Sequence, residues 1–538
     1  MWKFDRPRNE ADQILSYEPG SPEREALAAA VEELKRAPAS LPLMIDGREV
    51  WTDDVVEIRA PHDRRLLLGQ ACLAGPAELE AAVASALEAH RTWSRLPWPQ
   101  RAAVFQRAAD LLSGPRRMAH LAAIMLNQSK TPYEAEIDLA ELVDFWRYNV
   151  WFLNAIYGEQ PEQGYREINR FDWRPLEGFV LAISPFNFYS IGGNLPTAPV
   201  LCGNVALWKP ARSVLLCNHE IQKLLVEAGL PAGVLNFVPF ASRSGGAVLS
   251  HPDLAGLHFT GSYETFVELQ RQIGMNMAHY RSFPRVVGET GGKDFLFVHA
   301  SADAVAVGAN IVRGAFEYQG QKCSAVSRVY MAESLWPQVR DYLLREVADL
   351  PVGPTENLTN FMGAVIDEEA FDRIGLWLDR IRDHPESYEL LVGGGRDASE
   401  GWFIEPTVVV ARDPKDRIMR EEIFGPLVAV YLYPDEAFEK TLHLCDASTE
   451  FALTGALFAR DREAIAAAEE ILRHSAGNFY INDKPTGAVV GRQPFGGSRH
   501  SGTNDKAGYR ANLLRWLSPR LIKENTVPAR QWQRPFMG

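Results

Sequence analysis

Cys323 is the cysteine whose neighbours suggest nucleophilic chemistry. It lies in the run Tyr318-Gln-Gly-Gln-Lys-Cys-Ser-Ala325, at the end of a helical pattern, where glycine and polar residues indicate an accessible loop. The thiolate is the form of cysteine that attacks carbonyl groups, and the charge of Lys322 would favour that form. Taken alone, the segment also fits a surface thiol without a role, so other polar positions must decide between the two interpretations.

Two further residues follow predicted strands and could assist a reaction at a carbonyl group. Glu289 occurs in Val286-Val-Gly-Glu-Thr-Gly-Gly-Lys293, where glycines leave room for its carboxylate to enter a cleft and take a proton from water. Asn187 occurs in Ser184-Pro-Phe-Asn-Phe188, at a strand end from which its amide could donate to a developing oxyanion. Alone, the first also fits a solvated loop acid and the second a turn residue.

Residues of the types that bind nucleotides stand at two more predicted strand ends. Lys209 ends the predicted strand Leu207-Trp-Lys209, where its ammonium group could reach ribose hydroxyls or phosphate. Phe259-Thr-Gly-Ser262 follows another strand and begins a helix, so backbone N–H groups and the Ser262 hydroxyl could bind a pyrophosphate. The alternatives are a solvated strand-end charge and an ordinary helix cap.

The elements that would position these residues alternate between strand and helix. The first 157 residues are predicted to be mostly helical, with one short strand and turn at 43–47. Beyond residue 178, short apolar strands alternate with helices, which predicts a parallel, doubly wound sheet. The predicted strands lie near 178–183, 205–208, 235–238 and 257–259, and in a second series near 294–298, 326–331, 406–410, 427–432 and 454–458. The predicted helices lie near 77–93, 98–113, 133–157, 214–228, 243–250, 263–277, 303–317, 335–347, 367–382 and 462–473.

Two α/β units in series create a cleft between them, which is the usual place for a ligand. The last segment, residues 515–538, is polar and has no core pattern, and we interpret it as an arm that packs on another subunit. The expected fold class is therefore α/β, with a large buried core and an exposed arm.

Composition narrows the class of protein. The 538 residues are 46% apolar and carry a net charge of −13, which argues against nucleic acid and anionic membrane as partners. The five cysteines are odd in number and contain no C-x-x-C pair, so we expect no disulfide framework and no metal site. Together with an N-terminus that lacks an apolar signal core or an arginine-rich transit pattern, they predict a cytoplasmic protein.

Six short blocks occur in one order between about residues 180 and 430, and together they resemble the aldehyde dehydrogenase superfamily. The blocks are Ser-Pro-Phe-Asn, Trp-Lys-Pro, Phe-Thr-Gly-Ser, Gly-Glu-Thr-Gly-Gly-Lys, Gly-Gln-Lys-Cys and Glu-Glu-Ile-Phe-Gly-Pro. Finer matches, such as Phe316-Glu-Tyr-Gln-Gly-Gln-Lys-Cys-Ser-Ala325 and Gly477-Asn-Phe-Tyr-Ile-Asn-Asp-Lys484, are similar to the glutamate-γ-semialdehyde (Δ1-pyrroline-5-carboxylate) dehydrogenase branch. The resemblance covers nearly the whole chain.

The resemblance implies a Rossmann-type cofactor domain, an α/β catalytic domain and an oligomerisation arm. By position, residues 1–158 and 175–288 would form the first, 289–504 the second, and 159–174 with 505–538 the arm. The implied reaction is the NAD-dependent oxidation of L-glutamate-γ-semialdehyde to glutamate in proline catabolism, in a homodimer or higher homo-oligomer. Nucleic acid and membranes are not expected as partners.

The resemblance also implies roles for individual residues. Cys323 would be the nucleophile, Glu289 would activate water, and Asn187 with the Cys323 N–H would hold the oxyanion. The implied cofactor-binding residues are Ser184, Phe186, Lys209, Gly261, Ser262, Glu422 and Phe424. The implied substrate-binding residues are Ser324, Gly487 and Ala488 for the α-carboxylate, Glu141 for the α-ammonium, and Phe188 and Phe495 for the aliphatic chain.

Several points stay open at this stage. Glu136, Asp138 and Asp144 compete with Glu141 on the same predicted helix. Arg212 stands where many NAD-dependent relatives have an acid, so NADP is a possible cofactor beside NAD, and the loop 238–246 departs from the pattern expected near the adenine. The alternative functions are oxidation of another small or amino-acid semialdehyde, a CoA-acylating dehydrogenase, and a non-catalytic protein of the same fold.

Overall fold

The first large sheet is parallel over five of its seven strands. A computed structural model describes residues 4–538, so the first three residues of the predicted cofactor domain lie outside the description. In spatial order the strands are Arg285–Glu289, Leu254–Thr260, Phe179–Ile183, Val205–Lys209, Leu235–Phe237, and the antiparallel Leu43–Ile45 and Arg48–Val50. Most of the central residues are apolar and buried, as expected for strands covered on both faces.

The strand order of this sheet reverses at Phe179–Ile183, because the chain then moves outward on both sides of that strand. In doubly wound sheets, ligands bind beyond the carboxyl ends of the strands at such a reversal. Lys209, Thr260 and Glu289 are the last residues of three of these strands, and Ser184 follows a fourth. The predicted parallel sheet is confirmed, and it aligns the strand ends along one edge.

Helices cover this sheet and form the N-terminal layer. They are Pro22–Arg36, Pro76–Trp93, Trp98–Ser113, Arg117–Gln128, Pro132–Gly158, Tyr189–Leu201, Leu215–Glu227, Gly246–Leu249 and Tyr263–Met275. Ser21 caps the first helix by accepting a hydrogen bond from the N–H of Arg24 at 3.3 Å, with Pro22 in the first turn. The three helices predicted before residue 158 are confirmed to within about one residue at each end.

The prediction that the N-terminal region is mostly helical misses a small sheet. Its strands are Ala39–Leu41, Val55–Ala60 and Asp63–Cys72. Half of the residues in Val55–Ala60 are exposed and the strand contains two charged residues, which weakens the alternating apolar signal. The helix Tyr189–Leu201 is also missed, because it contains Pro196 and Pro199 and is buried on nearly every side.

The second large sheet has seven strands around Arg328–Ala332. In spatial order they are the antiparallel Tyr388–Val392, then Thr407–Ala411, Leu427–Tyr433, Arg328–Ala332, Phe295–Val298, Thr454–Phe458 and Asn478–Ile481. The associated helices are Ala304–Phe316, Trp336–Ala348, Glu368–Asp383, Phe438–Ala447 and Arg462–Ile471, whereas Arg510–Arg515 packs on the helix Pro132–Gly158. The five strands predicted for this region are confirmed, whereas the two edge strands were not predicted.

The arm is a two-stranded antiparallel ribbon. Glu167–Pro175 pairs with Leu517–Asn525 along its whole length, and Ile168 and Leu521 are exposed on it. Two further two-residue pairs complete the strands, Arg396–Asp397 with Phe403–Ile404 and Phe451–Ala452 with Ser498–Arg499. Within residues 4–538, no helix combines the length and the apolar character needed to cross a bilayer.

Candidate active site

The turn that carries Cys323 has an uncommon backbone. It follows the helix Ala304–Phe316 and includes Tyr318, Gln319 and Gly320, with φ values of 52°, 55° and 63°. Left-handed conformations are unfavourable for residues with a side chain and persist only where the surroundings hold them. At Gly320 a Cβ atom would overlap the carbonyl oxygen of Gly425, so the turn packs directly on the backbone after Phe424. We call residues 317–323 the cysteine turn.

The glycines that follow Glu289 pass between Cys323 and Glu422. A Cβ atom on Gly292 would overlap the carbonyl oxygen of Cys323, and one on Gly291 would overlap the carboxylate of Glu422. The N–H of Gly292 donates to Glu422 Oε1 at 2.8 Å. The Glu-Thr-Gly-Gly motif is therefore a close backbone passage that brings a strand end of the first sheet against two loops of the second.

Cys323 is the only partly exposed member of five free cysteines. Burial raises the pKa of its thiol well above the ordinary value, and the carboxylates of Asp294, Glu422 and Glu289 raise that pKa further. The prediction that Lys322 favours the thiolate is wrong for this structure. The Lys322 ammonium is buried and paired with the Glu317 carboxylate at 3.1 Å, so its charge is already neutralised there.

Glu289 ends its strand with a carboxylate turned toward the glycines at 496–497. Its Oε2 accepts a hydrogen bond from the N–H of Gly497 at 3.1 Å. Burial raises the pKa of Glu289 well above the usual range, and this outweighs the opposing effects of that hydrogen bond and of Lys506. A carboxylate with a raised pKa has the basicity needed to accept a proton from water near neutral pH.

Asn187 lies immediately before the helix Tyr189–Leu201 and is 3% exposed. Its side-chain amide makes no hydrogen bond to any residue described, so the donor is uncommitted. Ser184, predicted as a cofactor contact, has its hydroxyl turned inward, where it accepts from the Trp208 indole at 2.9 Å. The Ser184 hydroxyl is thus engaged with the protein on its inner side.

The remaining strand ends fit an anionic dinucleotide. The Lys209 ammonium lies 5.5 Å from the centre of the Phe240 ring and makes no hydrogen bond to a described residue. Burial lowers the pKa of Lys209, and the neighbouring charge of Arg212 lowers it further. The exposed Ser262 caps the helix Tyr263–Met275 and follows Gly261, which leaves an open, positively polarised helix N-terminus on the same edge of the sheet as Lys209.

The aromatic and acidic residues predicted for the nicotinamide end also lie together. Phe424 has a φ of 57°, and its ring packs edge-on against the ring of Phe186 at 5.7 Å. Burial raises the pKa of Glu422 to about 7, against the effects of the Gly292 hydrogen bond, Arg373 and Lys293. Cys323, Glu422 and Phe424 line one pocket with Gly292. The pocket thus brings the residues implied for cofactor binding to the sulfur of Cys323.

The atypical loop 238–246 forms the outer edge of this side. It contains the short 3₁₀ turn Ser242–Ser244 and leads into the helix Gly246–Leu249. Phe240 is buried in the loop beneath the ammonium of Lys209. The loop thus supplies an aromatic ring at this position, and the Arg243 side chain lies outside the description.

On the predicted substrate side, Glu141 differs from its three rivals. Its Oε2 accepts a hydrogen bond from Ser190 Oγ at 2.6 Å, and the other carboxylate oxygen makes no hydrogen bond among the described residues. Burial raises the pKa of Glu141 to about 8, above the opposing effect of Ser190. A largely buried carboxylate with one free oxygen can accept a hydrogen bond from an ammonium group.

The three rival acids are each committed elsewhere in the structure. Glu136 binds Arg117 and the Tyr17 hydroxyl, Asp138 binds Lys130 and two backbone N–H groups, and Asp144 accepts from Asn9 and from the N–H groups of residues 10 and 11. These contacts distinguish Glu141, which the sequence alone could not do.

The residues predicted to bind the α-carboxylate of the substrate come from two segments, one directly after the cysteine turn and one in the loop at 486–488. Ser324 is buried, and its hydroxyl donates to Thr486 Oγ1 at 2.9 Å. Gly487 is exposed with a φ of 91°, and Ala488 is half-buried beside it. Phe495 is half-buried and pairs through its backbone with Ala507. The structure thus links Ser324 to the 486–488 loop, whereas no contact between Phe495 and Phe188 is among those described.

Sequence reasoning missed Lys130 and Ser190, which lie between the predicted site residues. Lys130 is 1% exposed, and a lysine without a motif reads as a surface charge. Ser190 follows the Ser-Pro-Phe-Asn block and carries no chemical signal of its own in the sequence. Among residues 4–538, no three His, Cys, Asp or Glu side chains cluster in a way that could hold a metal ion.

Comparison with known proteins agrees with this geometry. The model of the aldehyde dehydrogenase family matches residues 51–522. A mitochondrial Δ1-pyrroline-5-carboxylate dehydrogenase of Bos taurus is 49% identical over 98% of this chain and 94% of its own, and that of Homo sapiens is 46% identical over 100% and 96%. The structure of the Mycobacterium tuberculosis Δ-pyrroline-5-carboxylate dehydrogenase bound with NAD is 48% identical, with a TM-score of 0.96 over 100% of this chain and 99% of that one.

The comparison also corrects the expected location. Relatives from Bos taurus, Mus musculus, Homo sapiens and Emericella nidulans are named mitochondrial, which contradicts the prediction of a cytoplasmic protein. That prediction relied on unpaired cysteines, which fit any reducing compartment and so could not distinguish one from another. On the family model and on the full-length relatives, the chain belongs to the aldehyde dehydrogenase family, in its Δ1-pyrroline-5-carboxylate dehydrogenase branch.

Proposed function

We propose that this chain oxidises L-glutamate-γ-semialdehyde, the open form of Δ1-pyrroline-5-carboxylate, to glutamate with NAD, as a step of proline catabolism. The observation that carries the proposal is the backbone passage at Gly291 and Gly292, which touches both the turn of Cys323 and the carboxylate of Glu422. It brings Cys323 and Glu422 to one pocket, and Glu289 precedes Gly291 by two residues in the chain. The branch to which the chain belongs supports the choice of substrate.

The reaction begins at the sulfur of Cys323. The thiolate adds to the aldehyde carbon, and the carbonyl oxygen becomes an oxyanion that receives hydrogen bonds from the Asn187 amide and the Cys323 N–H. When bound, NAD accepts the hydride that leaves this carbon, and its positively charged ring supplies the cation that the sulfur otherwise lacks. The product on Cys323 is a thioester.

Release of the acid requires water. Glu289 takes one proton from a water molecule, whose oxygen adds to the thioester carbonyl, and the carbon–sulfur bond then breaks to give glutamate and free Cys323. Gly497 fixes the carboxylate through its N–H, and burial keeps the carboxylate basic.

Recognition of the amino-acid end requires one acid and several donors. Glu141 accepts the α-ammonium with its free oxygen, while Ser190 holds the other oxygen. The pKa of Glu141 is raised to about 8 in the absence of a cation, and a bound ammonium restores the anion. Ser324, Gly487 and Ala488 receive the α-carboxylate, and the rings of Phe188 and Phe495 enclose the carbon chain.

The cofactor is held from the strand ends of the first sheet. Lys209 binds the adenosine ribose, Ser262 and the N–H groups after Gly261 bind the pyrophosphate, and Glu422, Phe424 and Phe186 hold the nicotinamide end. The backbone of Ser184 contributes instead of its hydroxyl. Arg212 is exposed beside Lys209 and would also tolerate the 2′-phosphate of NADP.

The division into domains and the assembly follow the same proposal. Residues 1–158 and 175–288 act as the cofactor-binding domain, and residues 289–504 as the catalytic domain. Residues 159–174 and 505–538 form the arm, whose ribbon exposes Ile168 and Leu521 for contact with a second copy. We propose a homodimer or a higher homo-oligomer, with a small molecule as substrate.

A substrate panel tests the proposal. NADH or NADPH formation is measured with Δ1-pyrroline-5-carboxylate, succinate semialdehyde and propanal, each with NAD and with NADP. We expect the highest kcat/KM with pyrroline-5-carboxylate and NAD. A higher value with another aldehyde would identify a different semialdehyde as the substrate, and reduction that requires CoA would replace hydrolysis by acyl transfer.

A further inference from the structure

A buried connector joins the helices Arg117–Gln128 and Pro132–Gly158 behind the pocket. Its residues are Gln128, Ser129, Lys130 and Thr131, and none of them is more than 6% exposed. Lys130 is 1% exposed although a lysine is rarely buried to that degree without a specific partner. The four side chains lie outside every motif that carries the family resemblance.

The Lys130 ammonium is neutralised by a carboxylate that also organises the oxyanion segment. Lys130 forms an ion pair with Asp138, which is likewise 1% exposed. Asp138 accepts from the N–H of Tyr189 at 2.8 Å and from the N–H of Ser190 at 2.9 Å. Asp138 therefore caps the helix that begins directly after Asn187 and Phe188. It also fixes the backbone of Ser190, whose hydroxyl binds Glu141.

The same ammonium contacts the cysteine turn. Its Nζ lies 4.6 Å from the centre of the Phe188 ring and 4.4 Å from the centre of the Tyr318 ring. An ammonium group over an aromatic face is attracted by the negative charge of the ring face, and more strongly when both are desolvated. Tyr318 has the first of the three positive φ values, so the contact bears on the part of the turn that would not keep its shape alone.

The neighbouring connector residues support this arrangement. Gln128 donates to the carbonyl oxygen of Phe186 at 2.6 Å, on the oxyanion side. The carbonyl oxygen of Ser129 accepts from the Gln319 side chain at 3.0 Å, on the cysteine side. The connector thus binds both segments by hydrogen bonds on either side of the lysine.

We propose that Lys130 is a positioning residue that fixes the distance between the oxyanion donor Asn187 and the nucleophile Cys323. Its charge holds Asp138 on one side and two aromatic rings on the other. The segment that carries Asn187 and the cysteine turn therefore keep one relative position. It touches neither substrate nor cofactor in this role. The inference rests on the proposed chemistry at Cys323 and does not depend on which aldehyde is the natural substrate.

The test replaces Lys130 by methionine, which keeps the length of the chain and removes the charge. Because small misplacement of reacting groups lowers rates strongly, Lys130→Met should lower kcat about 10²-fold with both propanal and pyrroline-5-carboxylate. The KM for NAD should stay close to that of the wild type. Lys223→Met, at an exposed lysine paired with Glu220, is the matched control and should leave kcat unchanged.

Two results would overturn the inference. A folded Lys130→Met enzyme with the wild-type kcat would do so, and so would a loss of activity that only follows the fraction of unfolded protein by circular dichroism. If the wild type oxidises propanal but not pyrroline-5-carboxylate, the proposed substrate is wrong, and the propanal data still decide the role of Lys130.

A second pair of variants decides the matter where Lys130→Met does not fold. Tyr318→Phe keeps the ring over the ammonium, whereas Tyr318→Leu removes it. We expect Tyr318→Leu to have about tenfold lower kcat than Tyr318→Phe with propanal. Equal kcat values for the two variants would show that the ring does not transmit a positioning contact.

Discussion

The two sides of the pocket are built from different kinds of contact. On the nucleotide side, Lys209 ends a strand and makes no side-chain hydrogen bond to a described residue, and the exposed Ser262 caps the helix that follows another strand. On the substrate side, Lys130 pairs with Asp138, Asp138 accepts from the N–H of Ser190, and the Ser190 hydroxyl donates to Glu141. The first side is an open row of donors, and the second is a network assembled before any ligand arrives.

The difference has an energetic reason. A dinucleotide brings its own charges and is bound largely by backbone N–H groups, which any sequence can offer at the right turn. An amino-acid end needs opposite charges a few ångströms apart in a poorly solvated place, and buried charges persist only when they are paired and hydrogen-bonded. The nucleotide side can therefore change residues readily, whereas changes on the substrate side should be felt through several partners.

The largest effect is expected where the two sides meet. Cys323→Ala should abolish oxidation of every aldehyde, because the other four cysteines described are buried. Calorimetric titration with NAD should give an affinity like that of the wild type. Residual turnover above the background of a heat-inactivated sample would mean that the nucleophile is misassigned.

Removal of the base should separate the two halves of the reaction. Glu289→Gln should lower the steady-state rate by about 10²- to 10⁴-fold, since the amide cannot take a proton from water. A rapid burst of up to one NADH per site should remain and is measured by stopped-flow absorbance. A variant without a burst would place Glu289 in the first half of the reaction instead.

On the substrate side alone, Glu141→Gln should discriminate between aldehydes. The lost charge-assisted hydrogen bond should raise KM for pyrroline-5-carboxylate by about 10- to 100-fold. KM for propanal, which has no ammonium group, should hardly change. Asp110→Asn, at an exposed acid paired with Arg147, is the control. An equal effect on both aldehydes would remove Glu141 from the recognition site.

The pH dependence of glutamate inhibition should report the same carboxylate. Burial raises the pKa of Glu141 to about 8, so the acid is mostly protonated at pH 6.5 and becomes an anion as the pH rises. The inhibition constant of glutamate, whose ammonium group stays charged in this range, should therefore fall about tenfold between pH 6.5 and 8.5. In Glu141→Gln this dependence should vanish, and a persistent slope would point to another group.

The smallest effect is expected on the nucleotide side. Arg212→Glu should shift the ratio of kcat/KM values toward NAD over NADP by about tenfold, because an acid repels a 2′-phosphate and accepts from a free 2′-hydroxyl. The kcat with saturating NAD should stay the same. An unchanged ratio would show that Arg212 does not face the ribose.

The sequence predicts the nucleotide side better than the substrate side for the same physical reason. Apolar runs that end in Ser-Pro, Lys-Pro or Gly-Ser are visible as strand ends, and Cys323 and Glu289 stand out against glycines. Lys130 and Asp138 are not visible, since burial of a charged pair depends on contacts between segments far apart in the chain. The resemblance named Glu141, but the structure distinguishes it from Glu136, Asp138 and Asp144 by their partners.

The elements that escaped prediction have a common cause. The helix Tyr189–Leu201 is buried on almost all sides, so its sequence has no polar face, and its two prolines read as breaks. The strands Val55–Ala60 and Asp63–Cys72 carry charged residues on an exposed face and follow three short strands in sequence. Periodicity identifies amphipathic elements, and it fails where an element is wholly buried or mostly exposed.

The close packing at Gly291 and Gly292 leaves no room for a side chain at either position. A methyl group at Gly291 would push the Glu422 carboxylate aside, and one at Gly292 would push the Cys323 peptide aside, although the sheets behind them would be untouched. A chain with alanine there should still fold, melt normally and assemble, yet hold its two reaction partners too far apart. Loss of turnover without loss of stability is thus the expected signature of variation at these two sites.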